Sequence, residues 1–246
     1  MIDPLIRKLE QLQPLSSEER AALEAMPSRL REYRRGELLI EAGTCADESA
    51  LLLRGCVFRF KLTPDSRRQI VSLQVPGDFV DLHSFVLQPI DHSVAAAVPT
   101  IVARVPHRKI AELLNKFPHL TRNLMWDIAL DGAISREWLV TMGQRSAAEQ
   151  IAHLFCELYL RLERVGLVKD GSFEFALTQQ DLAETCGMSA VHANRSVQTL
   201  RRKRLIVLDH KRLTVVSLSK LIEFANFDSA YLRLLGEKRG EVGSRD

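Results

Sequence analysis

Apolar residues follow two different spacings along the chain, and each spacing predicts a different kind of element. Within residues 1–30 they recur at helical intervals, at Leu5, Ile6, Leu9 and Leu12. Ser16 precedes acidic residues, as the N-cap of a second short helix does. From residue 31 to 106, turn residues separate short apolar runs: Glu37–Ile40, Ala50–Leu53, Val57–Leu62, Ile70–Val75 and Thr100–Val105. Strands at intervals of roughly 8–12 residues predict a sandwich-like or barrel-like β domain.

From His107 onward the spacing is helical. Arg108–Phe117 predicts a short helix that ends at Pro118, because proline is disfavoured inside helices. The segment from His119 to about Met142 has one glycine and no proline, which predicts an unusually long helix. An apolar stripe runs along it, interrupted by Asp127 and Asp131: Leu120, Leu124, Ile128, Ile134 and Trp138. The stripe favours pairing with a second copy, and burial in the core of one chain is the alternative.

A break at residues 143–146 divides the chain. Gly143, Gln144 and Arg145 interrupt the long helix, and Ser146 with Glu149 forms a capping box that opens a helix to about Val165. We predict N-terminal helices and a β domain over residues 1–116, a long helix over 117–142, and a C-terminal domain over 146–246.

The C-terminal domain contains a helix-turn-helix pattern. Residues 177–206 read LTQQDLAETCGMSAVHANRSVQTLRRKRLI. Thr178 is placed to cap a helix over Gln179–Thr185, and Gly187 breaks that helix. Ser189 is placed to cap a second helix of about 14 residues.

The second helix has two faces. Ala193, Val197 and Leu200 recur as a buried face does. The opposite face carries side chains that suit base edges: Val191, Arg195, Gln198 and Arg202. Arginine can pair with guanine through two hydrogen bonds, glutamine can do so with adenine, and valine can contact a thymine methyl. Ser189 and His192 flank this face near the helix start, where a phosphate could meet free N–H groups.

Charge supports a nucleic-acid partner. Seven Lys or Arg residues and one acid, Asp209, lie within residues 189–212, whereas the whole chain has a formal net charge of only +3. Such local concentration is typical of a nucleic-acid interface. Leu205–Leu208 and Leu213–Leu218 predict a β-hairpin with basic residues at its tip, the wing of a winged helix. We therefore predict binding to double-stranded DNA.

The order of these parts resembles the Crp/Fnr family of bacterial transcription regulators from about residue 15 to 232. The resemblance rests on the 177–206 segment and on three glycine turns: Arg35-Gly36-Glu37 with Glu41-Ala42-Gly43, Arg54-Gly55, and Pro76-Gly77-Asp78-Phe79. It implies an α+β fold: an N-terminal double-stranded β-helix (β-roll) sensor domain, a long dimerisation helix and a C-terminal winged helix-turn-helix. It further implies a homodimer on a near-palindromic operator.

The resemblance also suggests roles for individual residues. The family's base-reading positions fall at Ala190, Val191 and Arg195, and only Arg195 matches the usual residue. The complete set of predicted DNA contacts is Thr178, Gln179, Ser189, Ala190, Val191, His192, Asn194, Arg195, Gln198 and Arg202. The predicted dimer contacts are Leu120, Leu124, Ile128, Asp131 and Trp138.

The effector region departs from cyclic-AMP-binding members. Those members use a glutamate for the ribose and an Arg-Ser pair for the cyclic phosphate. Here Leu82 stands at the glutamate position, beside Asp81, and His92-Ser93 replaces Arg-Ser. Ser135 and Arg136 lie where the family contacts the base, and Arg136 could replace the missing cation. These six residues form the predicted effector pocket, and their types argue against cyclic AMP.

Other effectors stay open at this stage. No cysteine precedes Cys45, so we expect no iron–sulfur cluster of the oxygen-sensing type. A haem could use one of five histidines, at positions 83, 92, 107, 119 and 153, and Cys45 or Cys56 could sense redox state. No clustered metal-ligand spacing occurs, so we predict no metal site.

Two other classes of protein compete with a regulator. An enzyme is disfavoured because the sequence contains no phosphate-binding loop, nucleophile elbow or His/Glu metal motif. A cyclic-nucleotide-binding signalling or scaffolding module, with a helix-turn-helix that contacts protein, is the alternative. Without a long apolar run, we expect a cytoplasmic protein with no membrane partner, and RNA polymerase as a further partner.

Overall fold

The computed structural model describes residues 1–175 and 177–233. Residues 176 and 234–246 of the predicted C-terminal domain therefore lie outside the described residues. Two helices open the chain: α1 (Asp3–Glu10) and α2 (Ser17–Ala25). The predicted cap of α2 is confirmed, because the Ser16 hydroxyl accepts from the Glu19 N–H and the Glu19 carboxylate accepts from the Ser16 N–H.

Seven antiparallel strands form the β-roll in two sheets, one ordered β1-β7-β3 and the other β2-β6-β4-β5. The strands are β1 (Arg29–Tyr33), β2 (Leu38–Ile40), β3 (Glu48–Arg54), β4 (Val57–Leu62), β5 (Arg68–Gln74), β6 (Ser93–Ala96) and β7 (Thr100–Pro106). A short 3-10 helix, Leu82–Phe85, lies between β5 and β6. The fold class predicted from the sequence is confirmed.

Two strands of the roll were not predicted. β1 is mostly exposed and polar, so it lacks the alternation that marks a half-buried strand. β6 is short and rich in alanine, which has low β propensity. The five predicted strands are all present, and β4 has the predicted bounds.

The helical half begins with α3 (His107–Lys116) and the long α4 (Pro118–Gln144). Pro118 lies in the first turn of α4, where its missing N–H costs nothing. Arg145 has an extended backbone, and Ser146 then caps α5 (Ala147–Arg164) with the predicted capping box to Glu149.

The C-terminal part contains the predicted helix-turn-helix and hairpin. Its elements are β8 (Ser172–Glu174), α6 (Gln179–Thr185), α7 (Ala190–Arg202), β9 (Ile206–Asp209), β10 (Arg212–Val215) and α8 (Leu218–Ala225), followed by a 3-10 turn, Ser229–Leu232. The prediction that the second hairpin strand extends to Leu218 is wrong. Ser217 caps α8 there, and its hydroxyl accepts from the Lys220 N–H.

Three apolar cores hold these elements together. One lies between the sheets of the β-roll around Leu52 and Val94. A second joins α1 and the start of α4 to the outside of the roll, around Leu51 and Leu120. The third is shared, because Phe58 of β4 belongs to the same core as Trp138 and the helix-turn-helix.

Candidate nucleic-acid interface and sensor cavity

The outward face of α7 is available to a large partner. Ala193, Val197 and Leu200 are buried, which confirms the predicted inner face. Val191 is 63% exposed, and Arg195, Gln198 and Arg202 are also exposed. The Arg195 side chain makes no hydrogen bond or ion pair with any residue in the described ranges, so its five donors are free to bind a partner.

The other predicted DNA contacts lie around the two helix starts. The Ser189 hydroxyl caps α7 by accepting from the His192 N–H at 3.2 Å, and His192 itself is exposed. Thr178 caps α6 and exchanges hydrogen bonds with Asp181, and Gln179 follows it exposed in the first turn. Ala190 and Asn194 are half-buried, and Asn194 accepts a bond from Gln198.

The turn between α6 and α7 determines how the two helices pack against each other. Gly187 has a φ of +63°, a left-handed conformation that glycine adopts without strain. The Met188 N–H then donates to the Ala183 carbonyl at 3.0 Å and closes the turn. The first helix therefore braces the second while leaving the outer face of α7 open.

The hairpin of β9 and β10 projects basic residues beside α7. His210 and Lys211 form its two-residue turn, both with positive φ as a tight hairpin requires. Both are exposed, as are the neighbouring Arg212 and the Arg201–Arg204 run at the C-terminal end of α7. Exposed basic residues are thus present both at the end of α7 and at the tip of the hairpin.

An open cleft of ≈ 360 Å³ lies between the β-roll and α4, and two of the six predicted effector residues line it. His92 and Ser135 line it, together with Arg59, Ser72, His83 and Asp131. Leu82 and Asp81 are buried behind it, and Asp81 accepts from the Ala50 N–H at 2.7 Å. Ser93 is half-buried and accepts from the Ala42 N–H. Arg136 is exposed on α4 and is not among the residues that line the cleft.

Arg59 is the one lysine or arginine among the described residues that line this cleft, and its side chain is already paired within the chain. Arg59 donates to the Val80 carbonyl at 2.8 Å and forms an ion pair with Asp131. Burial raises the pKa of Asp81 to about 6, and burial lowers the pKa of His83 to about 4. Burial also lowers the pKa of His92. The cleft is thus lined by two histidines with lowered pKa values and by an arginine whose charge is paired with Asp131.

A buried ion network below this cleft was not predicted from the sequence. Asp78 accepts from Lys8 at 2.6 Å and from Arg161 at 2.7 Å, and Lys8 also pairs with Asp127. Although burial raises it, the two cations hold the pKa of Asp78 at about 2. Arg161 further donates to Glu157, which accepts from Trp138. The available sequence signal was Lys8 itself, a cation within the apolar spacing of Leu5 and Leu9.

Most of the residues predicted to form the dimer stripe on α4 pack inside their own chain. Leu120, Leu124 and Trp138 are buried within their own chain, as in the alternative of a helix inside one core. Asp131 is half-buried against Arg59, and Ile128 is 38% exposed. A different stripe faces outward at spacings of three, four, seven and three residues, which fit a heptad repeat: Arg122, Met125, Ala129, Arg136 and Leu139.

Membrane-spanning and clustered metal-binding features are absent from the described residues. No helix there is long and apolar enough to cross a membrane. No group of three or more His, Cys, Asp or Glu residues in these ranges is arranged to hold a metal. The four cysteines are free thiols, and burial raises the pKa of Cys56 to about 12, which makes it a poor nucleophile.

A β-roll joined by a long helix to a winged helix-turn-helix is the architecture of a class of DNA-binding regulators. Family models agree with both halves. Residues 30–117 match the cyclic nucleotide-binding domain, and residues 149–224 match the Crp-like helix-turn-helix domain. The chain is a member of the Crp/Fnr family and is a DNA-binding transcription regulator.

Relatives of the chain are named as transcription regulators. The chain is 29% identical to the transcriptional activator protein FnrL of Cereibacter sphaeroides, over 87% of this chain and 86% of FnrL. It is 22% identical to the transcriptional activator protein Anr of Pseudomonas protegens, over 86% of each chain. The fold is similar to that of FixK2 from Bradyrhizobium japonicum, with a TM-score of 0.70, 18% identity, and coverage of 80% of this chain and 96% of that one.

Proposed function

We propose that two copies of this chain bind a near-palindromic DNA operator, each placing α7 in a major groove. The observation that carries this proposal is the outward face of α7, where Val191, Arg195 and Gln198 are exposed close to the exposed basic residues of the helix end and the hairpin tip. An α-helix fits the major groove of B-DNA, where all four base pairs can be distinguished. Two such helices one helical turn apart read a two-fold symmetric site.

The proposed contacts fall into two groups. Arg195 and Gln198 read base edges through hydrogen bonds, and Val191 contacts a thymine methyl. The remaining predicted residues contact the backbone or flank the site: Thr178, Gln179, Ser189, Ala190, His192, Asn194 and Arg202. Phosphate contacts position the protein and base contacts specify the sequence. The exposed arginines after α7 add affinity without sequence preference.

The outward stripe of α4 supports dimerisation along this helix. Met125 is 66% exposed and Leu139 is 67% exposed, and they lie on one face with Ala129. Alternating steps of three and four residues form the seam of a left-handed coiled coil. We therefore assign the seam to Arg122, Met125, Ala129, Arg136 and Leu139, and no longer to the residues chosen from the sequence.

The cleft between the β-roll and α4 is the proposed effector site, and its chemistry does not suit cyclic AMP. A cyclic phosphate requires an uncommitted cation, whereas Arg59 is paired with Asp131. Leu82 offers no acceptor for a ribose hydroxyl. The effector would act by shifting the population of domain arrangements about residues 143–146. The chain then acts in the cytoplasm by binding DNA and RNA polymerase, and not by catalysis.

Operator selection with a dimer-breaking variant tests this function. Purified protein is used to select sites from random duplex DNA, and sedimentation gives its mass. We expect a two-fold symmetric consensus and a dimer. Leu139→Glu should give a monomer that has lost most operator affinity, because like charges would meet in the seam. Leu87→Glu, at a leucine of the N-terminal domain that is 59% exposed, is the matched control. An asymmetric consensus, or a Leu139→Glu dimer, would contradict the proposal.

A further inference from the structure

Two histidines on the wall of the sensor cleft have unused ring nitrogens. His83 follows Leu82 in the 3-10 helix, and His92 precedes β6. Both side chains line the ≈ 360 Å³ cleft, and His92 is only 7% exposed. The Nε2 atom of each ring is buried and has no hydrogen-bonding partner among the described residues. Buried polar atoms in proteins are almost always paired, so two together point to a ligand.

A carboxylate orients one of these rings. His92 Nδ1 lies 2.8 Å from Asp91 Oδ1. In the neutral ring Nδ1 then carries the proton and donates it to Asp91, which leaves a lone pair on Nε2. This is the arrangement by which carboxylates prepare histidines for metal ligation. Lys61 holds Asp91 from the other side at 2.7 Å.

The spacing and charge state of the pair suit one ion. The ring centroids are 5.1 Å apart. Two imidazoles bound to the same tetrahedral ion at about 2.1 Å place their centroids about 5 Å apart. A histidine coordinates through an unprotonated ring nitrogen, and the Nε2 atom of each ring has no hydrogen-bonding partner among the described residues. The charge of the nearby Arg59 is balanced by Asp131.

We propose that His83 and His92 bind a divalent transition-metal ion of the zinc class in the sensor cleft. Imidazole nitrogen favours Zn²⁺, Ni²⁺, Co²⁺ and Cu²⁺ over Mg²⁺ and Ca²⁺. No third His, Cys, Asp or Glu of the described residues is arranged as a ligand, so the chain supplies two positions. The other positions are left to water or to donor atoms of an effector, which makes this an open site.

Metal in this position would lie close to the DNA-binding half of the chain. Gln69 of β5 lines the same cleft and donates to the Glu184 carbonyl of α6 at 2.6 Å. Trp138 of α4 lines it as well. The regulatory meaning of the site rests on the proposed function, whereas metal binding itself is measured without DNA.

Cobalt titration of the full-length protein tests the site. Protein stripped with a chelator is titrated with Co²⁺, and its visible d–d absorption is followed. We expect one ion per chain, with the strong d–d absorption of a tetrahedral Co²⁺ ion. His83→Gln and His92→Gln should each abolish the saturable signal. His119→Gln, at a histidine that does not line this cleft, is the matched control and should bind as the parent does. Far-UV circular dichroism and thermal melting establish that each variant is folded.

A second variant keeps the test decisive if a buried substitution fails to fold. Asp91 is 60% exposed, so Asp91→Ala removes the orienting carboxylate with little risk to the core. It should weaken Co²⁺ binding about 10–100-fold. The proposal is overturned if the parent protein binds no Co²⁺ saturably, if binding persists in the folded His variants, or if Asp91→Ala binds as the parent does. Operator binding by the stripped protein separates these outcomes from failure of the DNA-binding proposal.

Discussion

The outward face of α7 and the buried ion network under the sensor cleft use charged residues in opposite ways. Arg195 on α7 is exposed and has no side-chain partner in the described chain. Arg161 in the network donates to Asp78, to Glu157 and to the Leu73 carbonyl. A side chain that reads DNA must have hydrogen-bond donors or acceptors that the protein does not use. In the free protein water occupies these groups, and on binding the DNA takes the place of that water. Groups in the network have used their donors and acceptors to join parts of the same chain.

The network joins three parts of the molecule at one carboxylate. Asp78 lies in the turn after β5, Lys8 comes from α1, and Arg161 comes from α5. All three side chains are nearly inaccessible to solvent. A buried charge is costly to leave unpaired, so each member depends on the others. The arrangement of the β-roll relative to α5 is therefore set by charge pairing as well as by the shared apolar core.

Removal of the central carboxylate should have the largest effect. Asp78→Ala leaves Lys8 and Arg161 buried with fewer partners, and should lower the free energy of unfolding by about 3–5 kcal/mol. Urea unfolding at neutral pH measures this loss. Asp65→Ala is the control, because Asp65 pairs with Arg67 at an exposed turn and its removal should cost far less stability. Equal costs for the two variants would show that the network does not contribute as a buried site.

Asp81 is a second buried carboxylate, but unlike Asp78 it does not belong to an ion network in the described part of the chain. Asp81 lies behind the cleft without an ion-pair partner among the described residues, and burial raises its pKa to about 6 from 3.8. The folded state then binds a proton more readily than the unfolded state, so this group reduces stability as pH rises from about 4 to 6. Asp81→Asn removes that titration.

The stability of Asp81→Asn relative to the parent should therefore rise by about 2–3 kcal/mol across this pH range and stay constant above it. Urea unfolding of both proteins at several pH values measures the difference. Because only the difference is compared, other titrating groups cancel. A difference that does not change between pH 4 and 7 would mean that Asp81 is ordinarily solvated, contrary to its position in the structure.

The free arginine of α7 should affect binding and not folding. Arg195→Ala should cost about 1–3 kcal/mol of operator affinity and relax specificity at one base pair. Its stability should stay within about 0.5 kcal/mol of the parent, because the exposed side chain makes no hydrogen bond or ion pair among the described residues. Fluorescence anisotropy on the selected operator and on single-base variants measures both effects. Lys203→Ala is the control: it should weaken binding equally on all sequences and reduce the salt dependence. Uniform weakening by Arg195→Ala would make Arg195 a phosphate contact.

Local sequence signals predicted the DNA-binding half better than the sensor half. Thr178, Gly187 and Ser189 specify a cap, a break and a cap within a dozen residues, so α6 and α7 could be located from short-range chemistry. The hairpin was found for the same reason, although Ser217 ends it earlier than predicted. The outward face followed from helical geometry alone, because no distant element covers it.

Long-range pairing explains what the sequence could not supply. Asp78 and Arg161 lie 83 residues apart, and Arg59 and Asp131 lie 72 apart. No periodicity joins such positions, so Asp127 was recognised only as an interruption of a stripe, and Asp131 was assigned to the dimer contacts instead of to Arg59. Two apolar faces of α4 also compete in sequence, and the face with Leu120, Leu124 and Trp138 packs on its own chain. Which face is inner depends on the three-dimensional position of the β-roll.

The smallest expected effect is at the contact between the β-roll and the helix-turn-helix. Arg68 of β5 donates to Asp181 of α6 at 2.8 Å and pairs with Glu184, while its guanidinium lies 4.7 Å from the Phe58 ring centre. Arg68→Ala removes these contacts but leaves Asp181 bonded to Arg35 and Thr178.

Because Asp181 keeps those partners, Arg68→Ala should lower the free energy of unfolding by only about 1 kcal/mol. Urea unfolding measures it, with Arg67→Ala as the control, since the neighbouring Arg67 side chain is 80% exposed and pairs only locally with Asp65. A cost of about 3 kcal/mol or more would place this contact with the buried network, as a fixed joint between the β-roll and α6. A cost no greater than that of Arg67→Ala would mean that Arg68 does not help to hold the β-roll against the helix-turn-helix. The shared apolar core and the Asp78 network would then be what joins the two halves of the chain.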